Sequence, residues 1–98
     1  MYLKLSEAEG RKVIAACDSN LIGKVLKEGE AVLNLDIYSS FYIGEEVDAG
    51  TLAEALKDFD SANLVGEECV AVALESGLVR KSDVRYINNV PHIQLYKV

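Results

Sequence analysis

The spacing of apolar residues along this chain follows a period of two near both ends and a helical period in the middle. Leu3 and Leu5 alternate with Tyr2, Lys4 and Ser6 over residues 2–6. In residues 12–17, Val13, Ala15 and Cys17 alternate with Lys12, Ile14 and Ala16, and both segments are predicted to be β-strands. Residues 7–11 between them include Gly10, whose freedom to adopt positive φ suits a tight turn. The first part of the chain is therefore expected to form a β-hairpin.

Alternation returns in later segments of the chain. We expect a brief strand at residues 25–26 and a longer one over residues 31–38 with one wet face. Residues 39–44 are compatible with either a short strand or an aromatic loop. The final hairpin is predicted to pair residues 84–87 with residues 92–98 across an asparagine-rich turn.

The first helical segment covers residues 50–59. Thr51 and Glu54 have the spacing of a capping box, in which each side chain bonds a free amide of the other residue. Four apolar residues follow at i, i+3, i+4 and i+7, the last of them Phe59, so one face of this helix is expected to be buried.

A second helix is predicted to run from Ser61 or Asn63 to Ser76. Asn63 suits its N-cap position, where a side-chain oxygen accepts a bond from a free amide. Gly66, near the first turn, has no helix propensity to explain it. Close approach of another backbone, or of a ligand at the helix start, would account for a glycine there.

Strands, two helices and further strands in this order predict an α+β fold, with a mainly antiparallel sheet and two helices packed on one face. The 98 residues are half apolar and include a single proline, so residues 1–98 are expected to form a single domain with its own core. The composition excludes intrinsic disorder. Uncharged apolar runs are too short to predict a membrane span.

Cysteine and histidine are scarce. Cys17 and Cys69 are too few and too far apart in sequence for a disulfide scaffold or a Cys-x-x-Cys element, so reduced, buried thiols are expected. With His92 as the single histidine, a multi-histidine zinc site is not predicted within one chain. We therefore predict no metal site and no cofactor.

Charge is unevenly distributed along the chain. The net charge is −6, but residues 36–76 carry ten acidic residues and one basic residue, whereas residues 77–98 carry four basic residues and one acidic residue. The acidic balance makes general nucleic-acid binding unlikely, because such binding needs a basic footprint. The N-terminal sequence lacks the layout of a secretory signal, so a cytoplasmic protein with an unknown protein or small-molecule partner is expected.

Polar residues at the ends of predicted elements are the candidates for a site. His92 has the one side chain whose unperturbed pKa lies near neutrality, and Gln94 shares its strand face. Asp18 begins a segment whose side-chain oxygens can cap a short helical turn. The ordinary alternatives are a half-exposed strand histidine and simple helix caps.

Five segments taken in order resemble an archaeal family catalogued as domain of unknown function 424. They are Val-Ile-Ala-Ala-Cys-Asp at 13–18, Leu-Ile-Gly-Lys at 21–24, Phe-Tyr-Ile-Gly-Glu at 41–45, Ala-Asn-Leu-Val-Gly-Glu at 62–67 and Val-Pro-His-Ile-Gln at 90–94. Where the family commonly has paired glycines before Val-Pro-His, this chain has Asn88 and Asn89. The resemblance implies a small intracellular archaeal protein. Its motif positions here are Asp18, Asn63, Gly66, Glu67, His92 and Gln94.

These observations favour a non-catalytic binding or interaction module. Its predicted site gathers Asp18, Asn63, His92 and Gln94 where strand ends meet a helix start. One alternative is a small hydrolase or transferase with His92 as general base, oriented by Asp18 or Asn63. Another is an accessory factor in translation or RNA handling, suggested by the basic C-terminal segment and the archaeal resemblance.

Overall fold

A computed structural model describes residues 1–36, 39–42 and 44–96, with the backbone alone for residues 39 and 40. It contains eight strands and three α-helices within these ranges. In chain order they are β1 (Tyr2–Ala8), β2 (Arg11–Cys17), β3 (Val25–Glu28), β4 (Ala31–Asn34), α1 (Ser39–Tyr42), β5 (Glu45–Glu46), α2 (Ala49–Ala55), β6 (Ser61–Val65), α3 (Glu67–Glu75), β7 (Arg85–Ile87) and β8 (Val90–Tyr96). Single 3-10 turns occupy Ser19–Leu21 and Lys81–Asp83.

Six strands form one sheet in the order β5-β1-β2-β6-β8-β7, and β3 pairs with β4 in a separate hairpin. The pairing of β2 with β6 is parallel, and the other pairings in the large sheet are antiparallel. A parallel pair cannot be joined by a tight turn. The chain between β2 and β6 accordingly contains the β3–β4 hairpin, α1, β5 and α2.

The two faces of the large sheet are covered by different elements. Helices α2 and α3 cover one face, where Leu52 and Leu56 of α2 and Val70 of α3 join a buried cluster with Ile14 and Leu64 of the sheet. This arrangement confirms the predicted α+β class with two helices on one face. The opposite face is covered in part by the β3–β4 hairpin and α1, through a second buried cluster that includes Leu26, Leu35, Tyr42, Cys17 and Val65.

The predicted helix start at Ser61 or Asn63 is wrong. Ser61–Val65 form β6, a central strand with neighbours on both sides, and α3 begins only at Glu67. The alternation of Ser61 and Asn63 with Ala62 and Leu64 spans too few residues to separate a strand from a helix start, because Ser and Asn are also common N-cap residues. The long-range pairing with β2 and β8 decides the strand.

Three other local predictions differ from the structure in their capping residue, their bounds or the type of element. The N-cap of α2 is Asp48, whose carboxylate accepts a bond from the Thr51 amide at 2.9 Å, so the predicted Thr51–Glu54 capping box is wrong. Strand β4 ends at Asn34, and residues 37 and 38 of the predicted strand lie outside the described residues. Of the segment 39–44, residues 39–42 form α1 instead of a strand or loop.

Both predicted hairpins are present. β1 pairs with β2 from Tyr2↔Cys17 to Ala8↔Arg11, and β7 pairs with β8 from Arg85↔His92 to Ile87↔Val90. Strand β8 is described as far as Tyr96, so the last two residues of the predicted strand lie outside the described residues. Within the described ranges, no helix has both the length and the apolar character needed to cross a bilayer.

Candidate functional site

Asp18 binds the first turn of a helix far away in sequence. It follows β2 and is only 5% exposed. Its two carboxylate oxygens accept hydrogen bonds from the backbone amides of Glu68 and Cys69 of α3, each at 3.0 Å. Free amides and the helix dipole make a helix start favourable for a carboxylate. Asp18 therefore caps α3, and the expectation that its side chain caps the turn at Ser19–Leu21 is wrong.

Gly66 is the residue that lets Asp18 reach α3. Its φ is +109°, and a Cβ added there would overlap the Asp18 carboxyl group. Its amide donates to the carbonyl of Pro91 at 2.8 Å, and its carbonyl accepts from the Val70 amide at 3.0 Å. Gly66 is thus the N-cap residue of α3, the position predicted for Asn63. We name the contacts of Asp18 with Gly66 and with the amides of Glu68 and Cys69 the α3 interlock.

Glu67 lies on the exposed side of the α3 interlock. Together with Asp18 and Gly66 it borders a cavity of about 320 Å³, whose other walls include Lys24 and Asn89. The Asp18 carboxylate already takes up the amides of Glu68 and Cys69 that an anionic ligand would need. Helix capping alone accounts for Asp18 and Gly66, and Glu67 places an acidic side chain in the first turn of α3, where the helix dipole favours it.

Asn63 and Gln94 form a separate pair on the other sheet face. They are directly opposite each other in the β6–β8 register, on the face away from α2 and α3. Both line a cavity of about 330 Å³. Within the described part of the chain, neither side-chain amide has a hydrogen-bond partner. Each amide can therefore offer donors and an acceptor to a ligand.

Two aromatic residues of α1 form a wall of the same cavity. Phe41 is 41% exposed, and its ring meets that of buried Tyr42 edge to face, with ring centroids 5.1 Å apart. Burial, with a smaller contribution from Cys17, raises the pKa of Tyr42 to about 12, so its hydroxyl stays protonated at neutral pH. Leu33 and Asn34 of β4 complete the wall, and the Asn34 side-chain oxygen accepts from the Asp36 amide at 3.0 Å.

His92 lies beside this cavity without lining it. It shares the strand face of Gln94, two residues along β8, and pairs with Val65 on one side and Arg85 on the other. Burial, and to a lesser degree the positive charge of Arg85, lower the pKa of His92 below 6.5. The neutral form of the imidazole is therefore favoured at pH 7, and the charged group that acts on it is the Arg85 guanidinium.

The six predicted site residues are divided between two places. Asp18, Gly66 and Glu67 meet at the start of α3, whereas Asn63 and Gln94 line the cavity on the sheet face. His92 neighbours Gln94 but borders neither of these two cavities. Phe41, Tyr42 and Asn34 were not among the predicted site residues. The aromatic composition of residues 38–42 was the available signal, but packing is the ordinary explanation of such a cluster.

Both cysteines are free and fully buried, as predicted. Burial, and then the charge of Asp18, raise the pKa of Cys17 to about 12 and raise that of Cys69 still further. The Cys17 thiol donates to the Asp18 carbonyl oxygen at 3.3 Å. Thiols held in their protonated form are poor nucleophiles, so these two are core side chains.

Comparisons with known proteins are consistent with this fold. The chain is similar to the crystal structure of an uncharacterized conserved protein from Methanopyrus kandleri, an archaeon. The two share 27% identity with a TM-score of 0.80, over 97% of this chain and 89% of that one. None of the curated proteins matches the chain. A family model described as "Protein of unknown function (DUF424)" matches residues 6–98. The chain therefore belongs to the DUF424 family, in agreement with the resemblance carried by its five sequence segments.

Proposed function

We propose that this protein is a non-catalytic binding module for a small planar ligand that carries hydrogen-bond donors and acceptors along one edge, such as a nucleobase. One observation carries the proposal. The side-chain amides of Asn63 and Gln94 lie next to each other in a cavity that also has the ring of Phe41 in its wall.

The paired carboxamides of Asn63 and Gln94 suit a ligand edge that both donates and accepts hydrogen bonds. Each carboxamide offers an oxygen acceptor and an NH₂ donor, the combination with which Asn and Gln bind adenine in pairs of hydrogen bonds. Side chains directly opposite in an antiparallel pair have Cβ atoms about 4.5–5.5 Å apart. Asn63 and Gln94 can therefore contact one small ligand at the same time.

The aromatic wall and the size of the cavity limit the ligand further. A ring that is 41% exposed, as Phe41 is, has surface left on which a flat ligand can stack. The volume of about 330 Å³ is at the lower end of the range for small-molecule sites, about 300–1,000 Å³. A single base or nucleoside fits this description better than a long polymer.

The geometry at His92 gives less support to a hydrolase or transferase. A catalytic histidine base is usually oriented by a carboxylate, which also stabilises the imidazolium that forms. The charged neighbour of His92 is Arg85, which disfavours the imidazolium. The RNA-handling alternative rests on the basic residues near the C-terminus, and binding of single bases would be compatible with it.

The proposal is tested by titrating the ¹⁵N-labelled protein with adenine, guanine, cytosine and uracil bases and their nucleosides. We expect one of them to shift the side-chain NH₂ signals of Asn63 and Gln94. Asn63→Leu and Gln94→Met keep the side-chain size and remove the amides. Loss of one or two hydrogen bonds of about 0.5–1.5 kcal/mol each should raise Kd by about tenfold.

Matched variants separate binding from general damage. Asn20→Leu removes an exposed amide near the α3 interlock and should leave Kd unchanged. Phe41→Ala should weaken binding, whereas Tyr86→Ala removes an aromatic ring that is 60% exposed and lies outside the cavity. If no base or nucleoside shifts the two NH₂ signals at millimolar concentration, the proposed ligand class is wrong.

A further inference from the structure

We infer that the end of β8 beside β7 is a docking edge where an extended acidic peptide of a partner protein adds a strand to the sheet. The docking edge consists of the backbone of Gln94 and Tyr96, with the loop at residues 78–84 facing it. The inference goes beyond the proposed base-binding function and does not depend on it.

The strand register leaves these backbone groups unpaired. Gly66 donates to the Pro91 carbonyl, so the backbone groups of residues 91, 93 and 95 point toward β6. Those of residues 92, 94 and 96 point the other way, toward β7. Pairing with β7 stops at Arg85↔His92. In the described part of the chain, no backbone group bonds Gln94 or Tyr96 on that side. Two donors and two acceptors thus form an open ladder.

A cavity of about 710 Å³ lies along this open ladder. It lies between the loop and the end of β8, and its walls include Leu78, Val84, Arg85, Gln94 and Tyr96. Neighbouring strands of a sheet are about 4.8 Å apart, so a chain placed in line with β7 would lie within this space. Strand addition of this kind takes affinity from main-chain hydrogen bonds and specificity from alternate side chains.

The side chains on the two faces of the docking edge select an acidic, alternating peptide. Arg85 points to the same face as Gln94 and Tyr96, and its charge is strong enough to act on His92. The facing loop carries Arg80 and Lys81 against Asp83, which lines the cavity and whose carboxylate accepts from the Arg80 amide at 2.9 Å. Positive charges therefore outnumber negative ones here, although the net charge of the protein is −6. On the opposite face, Leu78 and Leu95 offer apolar surface. An antiparallel peptide with acidic residues toward Arg85 and apolar residues toward Leu78 fits both faces.

The test uses three end-blocked peptides and ¹⁵N-labelled protein. The first is a Glu-Val repeat, and the second is the Lys-Val repeat. The third is the Glu-Val repeat methylated on the backbone amides of its Glu residues. The Glu residues lie opposite Gln94 and Tyr96 in the antiparallel register, because their side chains share that face, and their backbone amides therefore point toward β8. A version methylated on the Val amides, which point away from β8, is its matched control.

We expect the Glu-Val repeat to shift the backbone amides of Gln94 and Tyr96 and to slow their hydrogen exchange about tenfold. Methylation of the Glu amides should abolish these changes, and methylation of the Val amides should not. Equal binding by both methylated peptides, tighter binding by the Lys-Val repeat, or no shift at Gln94 and Tyr96 at millimolar peptide would overturn the inference.

Two protein variants sharpen the result. Arg85→Glu should raise Kd for the Glu-Val repeat at least about fivefold, because it reverses the charge that selects the peptide. Lys24→Glu makes the same charge change near the α3 interlock and should leave Kd unchanged. Asn63→Leu should raise Kd for the base about tenfold and leave peptide binding unchanged, which separates the two proposals. If the free protein dimerises in solution and protects the same two amides, the occupant is a second copy and the partner-peptide inference is wrong.

Discussion

Replacing Asp18 by alanine should destabilise the protein more than any other exchange of one carboxylate. The change removes two charge-assisted hydrogen bonds of 3.0 Å and leaves two α3 amides without a partner. Hydrogen bonds to charged groups contribute about 1.5–3 kcal/mol each. Partial relaxation and entry of water reduce the sum, so we expect the free energy of unfolding to fall by about 3–5 kcal/mol.

That loss is large for a chain of 98 residues, since domains of this size unfold at a cost of about 5–15 kcal/mol. It corresponds to a fall in Tm of at least about 12 °C, at about 4–8 °C for each kcal/mol. The assay is urea-induced unfolding followed by circular dichroism, with calorimetry for Tm. An unchanged m-value would show that the variant still unfolds as one unit.

Asp48→Ala is the matched control for Asp18→Ala. Asp48 also caps a helix, but it is exposed, and both the backbone amide and the side chain of Thr51, three residues along the chain, bond to it. Its removal should lower Tm by only a minor fraction of the Asp18 effect. If the two variants lost the same stability, or Asp18→Ala lost less than about 1 kcal/mol, the α3 interlock would not be the anchor of α3.

Three further predictions concern Gly66, His92 and the two cysteines. Gly66→Ala should cost less stability in the Asp18→Ala background than in the wild-type protein, because the overlap with the carboxyl group is gone. The backbone penalty that remains, at φ +109° and ψ 159°, is about 1–3 kcal/mol, and additive losses in urea unfolding would contradict this prediction. Because the pKa of His92 is lowered, its contribution to the free energy of unfolding is complete above pH 6.5 and declines as the pH falls below that value. His92→Gln should remove this pH dependence. Arg85→Gln should raise the pKa of His92, which is measured from the single imidazole signal in NMR. Cys17 and Cys69 should react with a thiol reagent only at the rate of unfolding, and rapid labelling of the native protein at neutral pH would contradict their burial.

Local sequence patterns were sufficient for the elements whose partners are close along the chain. The β1–β2 and β7–β8 hairpins follow from alternation and turn residues, and the buried face of α2 follows from its helical spacing. The same parity argument placed His92 and Gln94 correctly on one face of β8. In each case the information lies within about a dozen residues.

The remaining features depend on contacts between distant segments. β6 is fixed as a strand by its pairing with β2 and β8 on both sides. The short alternation within residues 61–65 was outweighed by the N-cap preference of Ser and Asn. Asp18 reaches amides 50 and 51 residues away in sequence. The local sequence pattern therefore suggested the nearest helical turn as the partner of Asp18. It could not predict the pairing of Asn63 with Gln94 either, because these residues lie on strands that are separated in sequence.

Measurements of stability and of binding can distinguish the two groups of motif residues. Asp18 and Gly66 hold α3 against the end of the sheet, and their polar groups bond within the protein. The amides of Asn63 and Gln94 face a cavity instead. Asn63→Leu should therefore change Tm little, since it breaks no bond within the described part of the chain, and should raise Kd for the base about tenfold. A large loss of Tm in Asn63→Leu with base binding intact would mean that Asn63, like Asp18, belongs to the scaffold.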